Sequence, residues 1–250
     1  MSVADEALAP ASSLAARPPD ADAAERLSVV ILALNAAGDL PSTLASVTKK
    51  AAPSEEDEIL LSDGGSDDET CDIAESQGAT ILKGLPGRGR QLRRGAEEAH
   101  GSWLLFLHSD TRLGVGWRRE AARFMADPAN RERAGVFRFA LDDRTGAARR
   151  LERGVRLRGR YLGLPFGDQG LLIRRDFYHR LGGYRDWPLM EDVDFIRRIG
   201  ARRITHFETA AITSPARYRR GYVSRSARNL FCLALYFLGV APKHIVWFYR

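Results

Sequence analysis

SWLLFLHSDT, residues 102–111, is the stretch on which the fold turns. Six mostly apolar residues of strand length come first, without polar alternation, the pattern of a strand covered on both faces. The run then ends abruptly in His108, Ser109 and Asp110. The same character recurs upstream in LSVVILAL, residues 27–34, and in the shorter runs 58–62 (EILLS) and 79–83. Between these runs the spacing changes. Leu40, Leu44 and Val47 recur at helical intervals, a polar helix starts near Ser66, 89–100 is helix-like, and Trp117, Ala121, Phe124 and Met125 share one helical face. Unbroken strands separated by helices predict an α/β fold, a mostly parallel central sheet with helices on both faces.

Past Ala134 the order is less regular. Strands are expected at 135–141 and 170–174 and helices around 144–160 and 191–199, extending the same sheet and building one side of a cleft. A last helix is expected over 222–241, basic at Arg225 and Arg228 and apolar through LFCLALYFLGVA. That apolar stretch is short of the ~20 residues that span a bilayer, so it is either core or a helix lying on a membrane surface. Residues 1–26 hold nine Ala, three Pro and no apolar run, which predicts a disordered leader rather than a secretory signal.

The chain has 250 residues, 44% hydrophobic and 28% charged, which excludes disorder throughout and suits one or two domains. Cys71 and Cys232 stand far apart with no CxxC and no His-rich partner, so no disulfide framework or structural zinc site is expected, and a reducing cytosol fits. The net charge of +6 is unevenly spread: residues 144–250 carry 22 Lys or Arg against 8 Asp or Glu. Such a half could face nucleic acid, anionic lipid or a phosphorylated substrate.

In a parallel α/β sheet, ligands bind beyond the C-terminal strand ends. The polar residues there are Asn35, two positions after Ala33 at the first strand's end, Asp63 in SDGGSDDET, and His108 with Asp110. Asp63 could accept hydrogen bonds from a nucleobase; its turn reads equally as a strand exit and helix cap. Period two along a strand puts His108 and Asp110 on one side, where a divalent cation could bridge two phosphate oxygens; the other reading is an interior histidine and a turn cap. GRGRQ, residues 87–91, places Arg88 and Arg90 at a helix start, a locally unfavourable position unless an anion arrives, or else a solvated basic turn. Glu191 and Asp192 open a helix, either for dipole reasons or as a base facing a hydroxyl. Gly182 and Gly183 would allow close backbone approach to a ligand. Asp168 and Gln169 in PFGDQG line the acceptor side or form a turn, and Trp187 is an acceptor wall or core.

Taken in order, the SVVILALN strand, SDGGSDDET, GRGRQLRRGAEEAHG, HSDT and GGYRDWPLMEDVDF resemble the family 2 glycosyltransferases of the GT-A (Rossmann-like) fold, over roughly 27–217. HSDT, GRGRQ and FGDQG resemble a bacterial subgroup that includes proteins named 4,4'-diaponeurosporenoate glycosyltransferase. The resemblance implies a glycosyltransferase domain over 27–220 followed by a basic and apolar helical segment, 221–250. It implies a nucleotide-diphosphate sugar donor, a UDP-sugar first, a Mg²⁺ or Mn²⁺ ion, and inversion at the anomeric carbon. By position, Ala33, Asn35, Asp63, Arg88 and Arg90 would serve the donor, with Asp168 and Gln169 beside it. Asp110, with His108 in the place of the family's usual Asp, would hold the metal. Asp192 would be the base and Glu191 its orienting partner. A lipid-like acceptor would reach the protein at the inner face of the cell membrane, where the basic C-terminal segment meets anionic lipid. A sugar-phosphate nucleotidyltransferase would need a Gly-rich, basic loop after the first strand, where this chain reads ALNAAGDL. A basic nucleic-acid-binding module would leave HSDT and MEDVD unexplained.

Overall fold

The computed structural model describes residues 25–48, 57–162, 165, 167–218 and 221–249. The expected leader lies outside them, apart from Glu25 and Arg26. The N-terminal half alternates β1 (Leu27–Ala33), α1 (Leu40–Thr48), β2 (Glu58–Asp63), α2 (Thr70–Ser76), β3 (Thr80–Lys83), α3 (Arg88–Glu98) and β4 (Trp103–His108). These four strands pair in parallel, β1 lying between β2 and β4. Ala33 stands opposite Asp63, and Leu32 opposite His108. The register thus brings the polar strand ends to one rim.

The second half adds, among other elements, β5 (Thr111–Leu113), α4 (Trp117–Ala126), β6 (Ala134–Leu141), α5 (Gly146–Leu162), a 3-10 turn at Gly167–Gln169, β7 (Leu171–Arg174), α6 (Arg175–Arg180), α7 (Glu191–Ile199) and β8 (Ile204–Thr213). The strands form one sheet in the order β3-β2-β1-β4-β7-β6-β8-β5. Here the parallel pattern breaks: β7 runs antiparallel to both β4 and β6, and β5 antiparallel to β8, while β6 and β8 are parallel. The reversal turns the β7 entry, and the Gly167–Gln169 turn before it, toward the rim where β1, β2 and β4 end.

Apolar layers cover both faces. Leu104 and Phe106 face a layer with Tyr178, Tyr184 and Phe195, while Trp103, Leu105 and Leu107 face one with Phe124, Phe137 and Phe207. Edge-to-face ring pairs run through each layer, such as Phe106–Tyr184 at 5.1 Å and Phe137–Phe207 at 5.0 Å, a favoured aromatic geometry. Gly183, at φ 60°, packs against the Tyr178 ring, so its missing side chain serves packing and not the ligand approach expected from sequence.

The C-terminal segment forms two helices instead of one, α8 (Tyr222–Phe237) and α9 (Pro242–Tyr249). Gly239 at φ 88° leaves the first helix and Pro242 opens the second, where its fixed φ and absent N–H suit a helix start. Cys232, Leu233 and Ile245 pack into the layer that holds α7. No described helix is long and apolar enough to cross a membrane.

Candidate active site

A cleft at the rim is lined by Arg88 from α3, His108 from the end of β4, Gly167 and Asp168 from the 3-10 turn, and Asp192 from α7. Its outer wall comes from α8 and α9, through Arg225, Asn229 and Tyr249.

Arg88 organises the floor. Its Nη2 lies 3.0 Å from His108 Nε2, and its Nε lies 3.1 Å from Glu191 Oε1. Glu191 is shut from solvent at the start of α7. Burial pushes its carboxyl up to about 7, against the pull of Arg88, while burial of Arg88 is outweighed by Glu191 and Asp192, which hold the guanidinium charged. A charged guanidinium only donates, so the His108 nitrogen facing it must be an acceptor.

Asp192 Oδ2 accepts from the Gly167 N–H at 2.9 Å and Oδ1 from its own helix, at Val193 N, 2.8 Å. The backbone bonds fix the carboxylate against the 3-10 turn. The neighbouring Asp168 has a buried Oδ1 with no hydrogen-bond partner, and burial pushes this carboxyl up to about 6 despite Arg158 nearby. Two carboxylates of different environment therefore face one cleft, one tied to backbone N–H donors and one buried and disposed to hold a proton.

At the other end of the rim the strand exits are tied together. Asp63 is 2% exposed, and its carboxylate accepts from Gly65 N at 2.9 Å, Ser66 N at 3.0 Å and Ser66 Oγ at 2.5 Å. Burial works to raise its pKa, but these hydrogen bonds win and hold it low. Asn35, at φ 49°, accepts from Asp67 N at 3.0 Å and gives its own N–H to Ser66 Oγ at 2.9 Å.

The structure separates the two arginines of GRGRQ. Arg88 enters the cleft, whereas Arg90 is on the outside, in an exposed ion pair with Asp186 at 2.7 Å. Gln91, whose role the sequence did not reveal, is buried and donates to Ala33 O at 2.7 Å and Ser62 O at 2.9 Å, clamping the ends of β1 and β2. Gln169 likewise turns inward to Phe137 O at 3.0 Å, away from the acceptor side expected for it. Trp187 is half-buried, between the Arg185 guanidinium and Tyr236 of α8.

Among the described residues no three His, Cys, Asp or Glu side chains gather as a cage for a metal ion. Asp110 is 9% exposed beside the floor, and a hard cation that takes one carboxylate and completes its shell with phosphate oxygens fits such a position. His108 fits the ion less well, because the Arg88 cation already occupies its ring edge.

Residues 28–181 match the family model described as glycosyl transferase family 2. The chain belongs to that family. It is 29% identical over 184 residues to a "PGL/p-HBAD biosynthesis glycosyltransferase" of Mycobacterium bovis, and equally to one of Mycobacterium tuberculosis, covering 69% of this chain and 69% of each relative. Among solved structures it resembles TarS of S. aureus, with a TM-score of 0.59 and 15% identity over 90% of this chain and 69% of that one. It also resembles the mannosyltransferase PcManGT from Pyrobaculum calidifontis in complex with GDP-Man and Mn²⁺, with a TM-score of 0.62 and 18% identity over 84% of this chain and 62% of that one. The fold is therefore of the GT-A type, and this glycosyltransferase is an enzyme. The nucleotidyltransferase reading falls away.

Proposed function

We propose that this glycosyltransferase moves a sugar from a UDP-sugar to a lipid-like acceptor, with inversion, at an anionic membrane surface on the cytoplasmic side. The convergence of Arg88, His108, Asp168 and Asp192 on one cleft carries this reading. TarS has been solved with UDP and with UDP-GlcNAc, which favours a uridine donor over the GDP-Man of PcManGT. The nucleoside lies over Ala33, Asn35 and Asp63, and the diphosphate toward Arg88. Asp110 would hold a Mg²⁺ or Mn²⁺ ion, which when bound would offset charge on the leaving diphosphate. Arg88, kept in place by Glu191 and His108, supplies fixed positive charge to the same oxygens. Asp192, fixed by Gly167, takes the proton of the acceptor hydroxyl as that oxygen bonds to the anomeric carbon and the bond to diphosphate breaks. Uncharged apolar residues on the outer face of α8 and α9 support membrane contact, since a helix can rest its apolar face ~5–10 Å into the headgroup boundary.

The test is a thermal-shift titration with UDP, GDP, TDP and CDP, with and without Mn²⁺ or Mg²⁺. A ligand at 100 times its dissociation constant adds about 2.7 kcal/mol, enough to raise the midpoint by roughly 5–10 °C at this size. UDP with Mn²⁺ should give that shift, and Asp110→Ala should lose its metal-dependent part. A folded protein that no nucleotide shifts would overturn the donor reading.

A further inference from the structure

The floor of the cleft carries a cation that belongs to the chain itself. Glu191 Oε1 lies 3.1 Å from Arg88 Nε, and His108 Nε2 lies 3.0 Å from Arg88 Nη2. Glu191 is shut from solvent, whereas the Arg88 side chain keeps 25% of its exposure on the cleft it lines. The guanidinium is thus gripped from behind and open in front.

His108 is committed to that grip. Its other ring nitrogen, Nδ1, lies 3.4 Å from the same Arg88 Nη2. A neutral imidazole has one ring nitrogen free to accept, and Arg88 stands next to it in either tautomer. A metal ion would need the same lone pair. Backbone crowds the ring as well: a Cβ built on Gly167 would come within 2.8 Å of His108 Nε2 and 3.5 Å of Asp192 Oδ2. Nor does one strand carry both expected ligands, since β4 ends at His108 and Asp110 lies in the connection to β5.

We propose that His108 is a positioning residue for Arg88 and not a ligand of the ion, and that the guanidinium it aims holds the donor's diphosphate whether or not an ion is bound. The inference rests on the nucleotide-sugar reading above and deepens it at the same site. Having His108 where the family's usual Asp stands then exchanges a ligand of the ion for an acceptor of a guanidinium. Positive charge passes from a dissociable ion to the fold, in a group whose planar donors suit phosphate oxygens.

Calorimetric titration of the full chain with inorganic pyrophosphate and with UDP, each in EDTA and then with Mn²⁺, tests this. Pyrophosphate should bind in EDTA, and Mn²⁺ should tighten it no more than about tenfold. Arg88→Ala should weaken the metal-free binding about tenfold or more, and His108→Leu, which offers no acceptor, by a similar factor. The double variant should lose no more than either single one, because one residue acts through the other. His108→Gln, whose amide oxygen can accept from Arg88, should keep metal-free binding within about threefold, and the tightening by Mn²⁺ with it. Asp110→Ala should lose that tightening. Pyrophosphate that fails to bind in EDTA would overturn the proposal on the unmodified protein, whether or not a variant folds. So would additive losses in the double variant, or loss of the Mn²⁺ effect in His108→Gln. Pyrophosphate bound in EDTA while UDP binds under neither condition counts against the donor reading alone.

Discussion

Glu191 is a carboxyl with no solvent contact, facing Arg88 at 3.1 Å. Its pKa rises from 4.5 in the unfolded chain to about 7, with burial the cause and Arg88 opposing it. Between those values the folded protein keeps a proton that the unfolded chain releases. Stability from this group is therefore full below about pH 4.5 and is lost as pH rises through about 7. Asp168, pushed up to about 6 by burial, acts in the same direction over a narrower window. Glu191→Gln cannot ionise, so it should remove the larger part of the fall in urea midpoint between about pH 5 and pH 8, a difference on the order of 2–3 kcal/mol. An unchanged slope would assign the titration elsewhere. The same residue illustrates what a sequence conceals: MEDVD read as a helix start, but nothing in its spacing foretold that the partner of Glu191 would be Arg88 and not Arg90. Two residues apart near a helix start, those side chains point to different sides, and only the packing of α3 against α7 decides which one enters the cleft.

Among the elements, β1, β2 and β4 were the most legible, because strands buried on both faces are continuously apolar and cannot be mistaken for an amphipathic surface. β8 went unread. Its sequence ITHFETAAIT mixes buried Ile204, Phe207 and Ala211 with exposed His206 and Glu208, and its pairing with β6 shifts register between Val136 and Arg138, so no clean period of two survives. β5, three residues long, is too short for any period. The break between α8 and α9 was signalled by Gly239 and Pro242 but masked by the apolar run across them. On that helix pair Trp247 and Phe248 are 78% and 53% exposed, and each brings aromatic surface to solvent. Flotation with phosphatidylglycerol vesicles should carry the protein upward, and Trp247→Ser with Phe248→Ser should abolish most of that binding without lowering UDP affinity. A protein that stays at the bottom of the gradient would remove the membrane from the proposed function.

At the scale of the molecule, β4 serves both apolar layers, as β1 and β2 beside it do. Leu104 packs into one and Leu105 into the other, both with 0% exposure, so neither layer can loosen while β4 stays intact. Leu105→Ala should cost about 2–5 kcal/mol, and the urea transition should move to lower concentration as a single step of unchanged slope. Two separated transitions would mean that the two layers melt independently. Charge, too, is a property of the whole: the surplus of cations in residues 144–250 is spread over α5, α7, α8 and the turns between them, and a composition count could not tell which of these arginines reach a ligand.

α8 and α9 follow in the chain everything they cover. Synthesis delivers a protein N-terminus first, and folding of the earlier part proceeds meanwhile. The sheet, the strand-end rim and the Arg88 floor can be complete before the outer wall exists, so the nascent enzyme passes through a stage in which the donor side is built and the cleft is unroofed. Competence to hold an acceptor then arises later in synthesis than the donor side, and it arrives together with the apolar face that would bring the protein to its lipid.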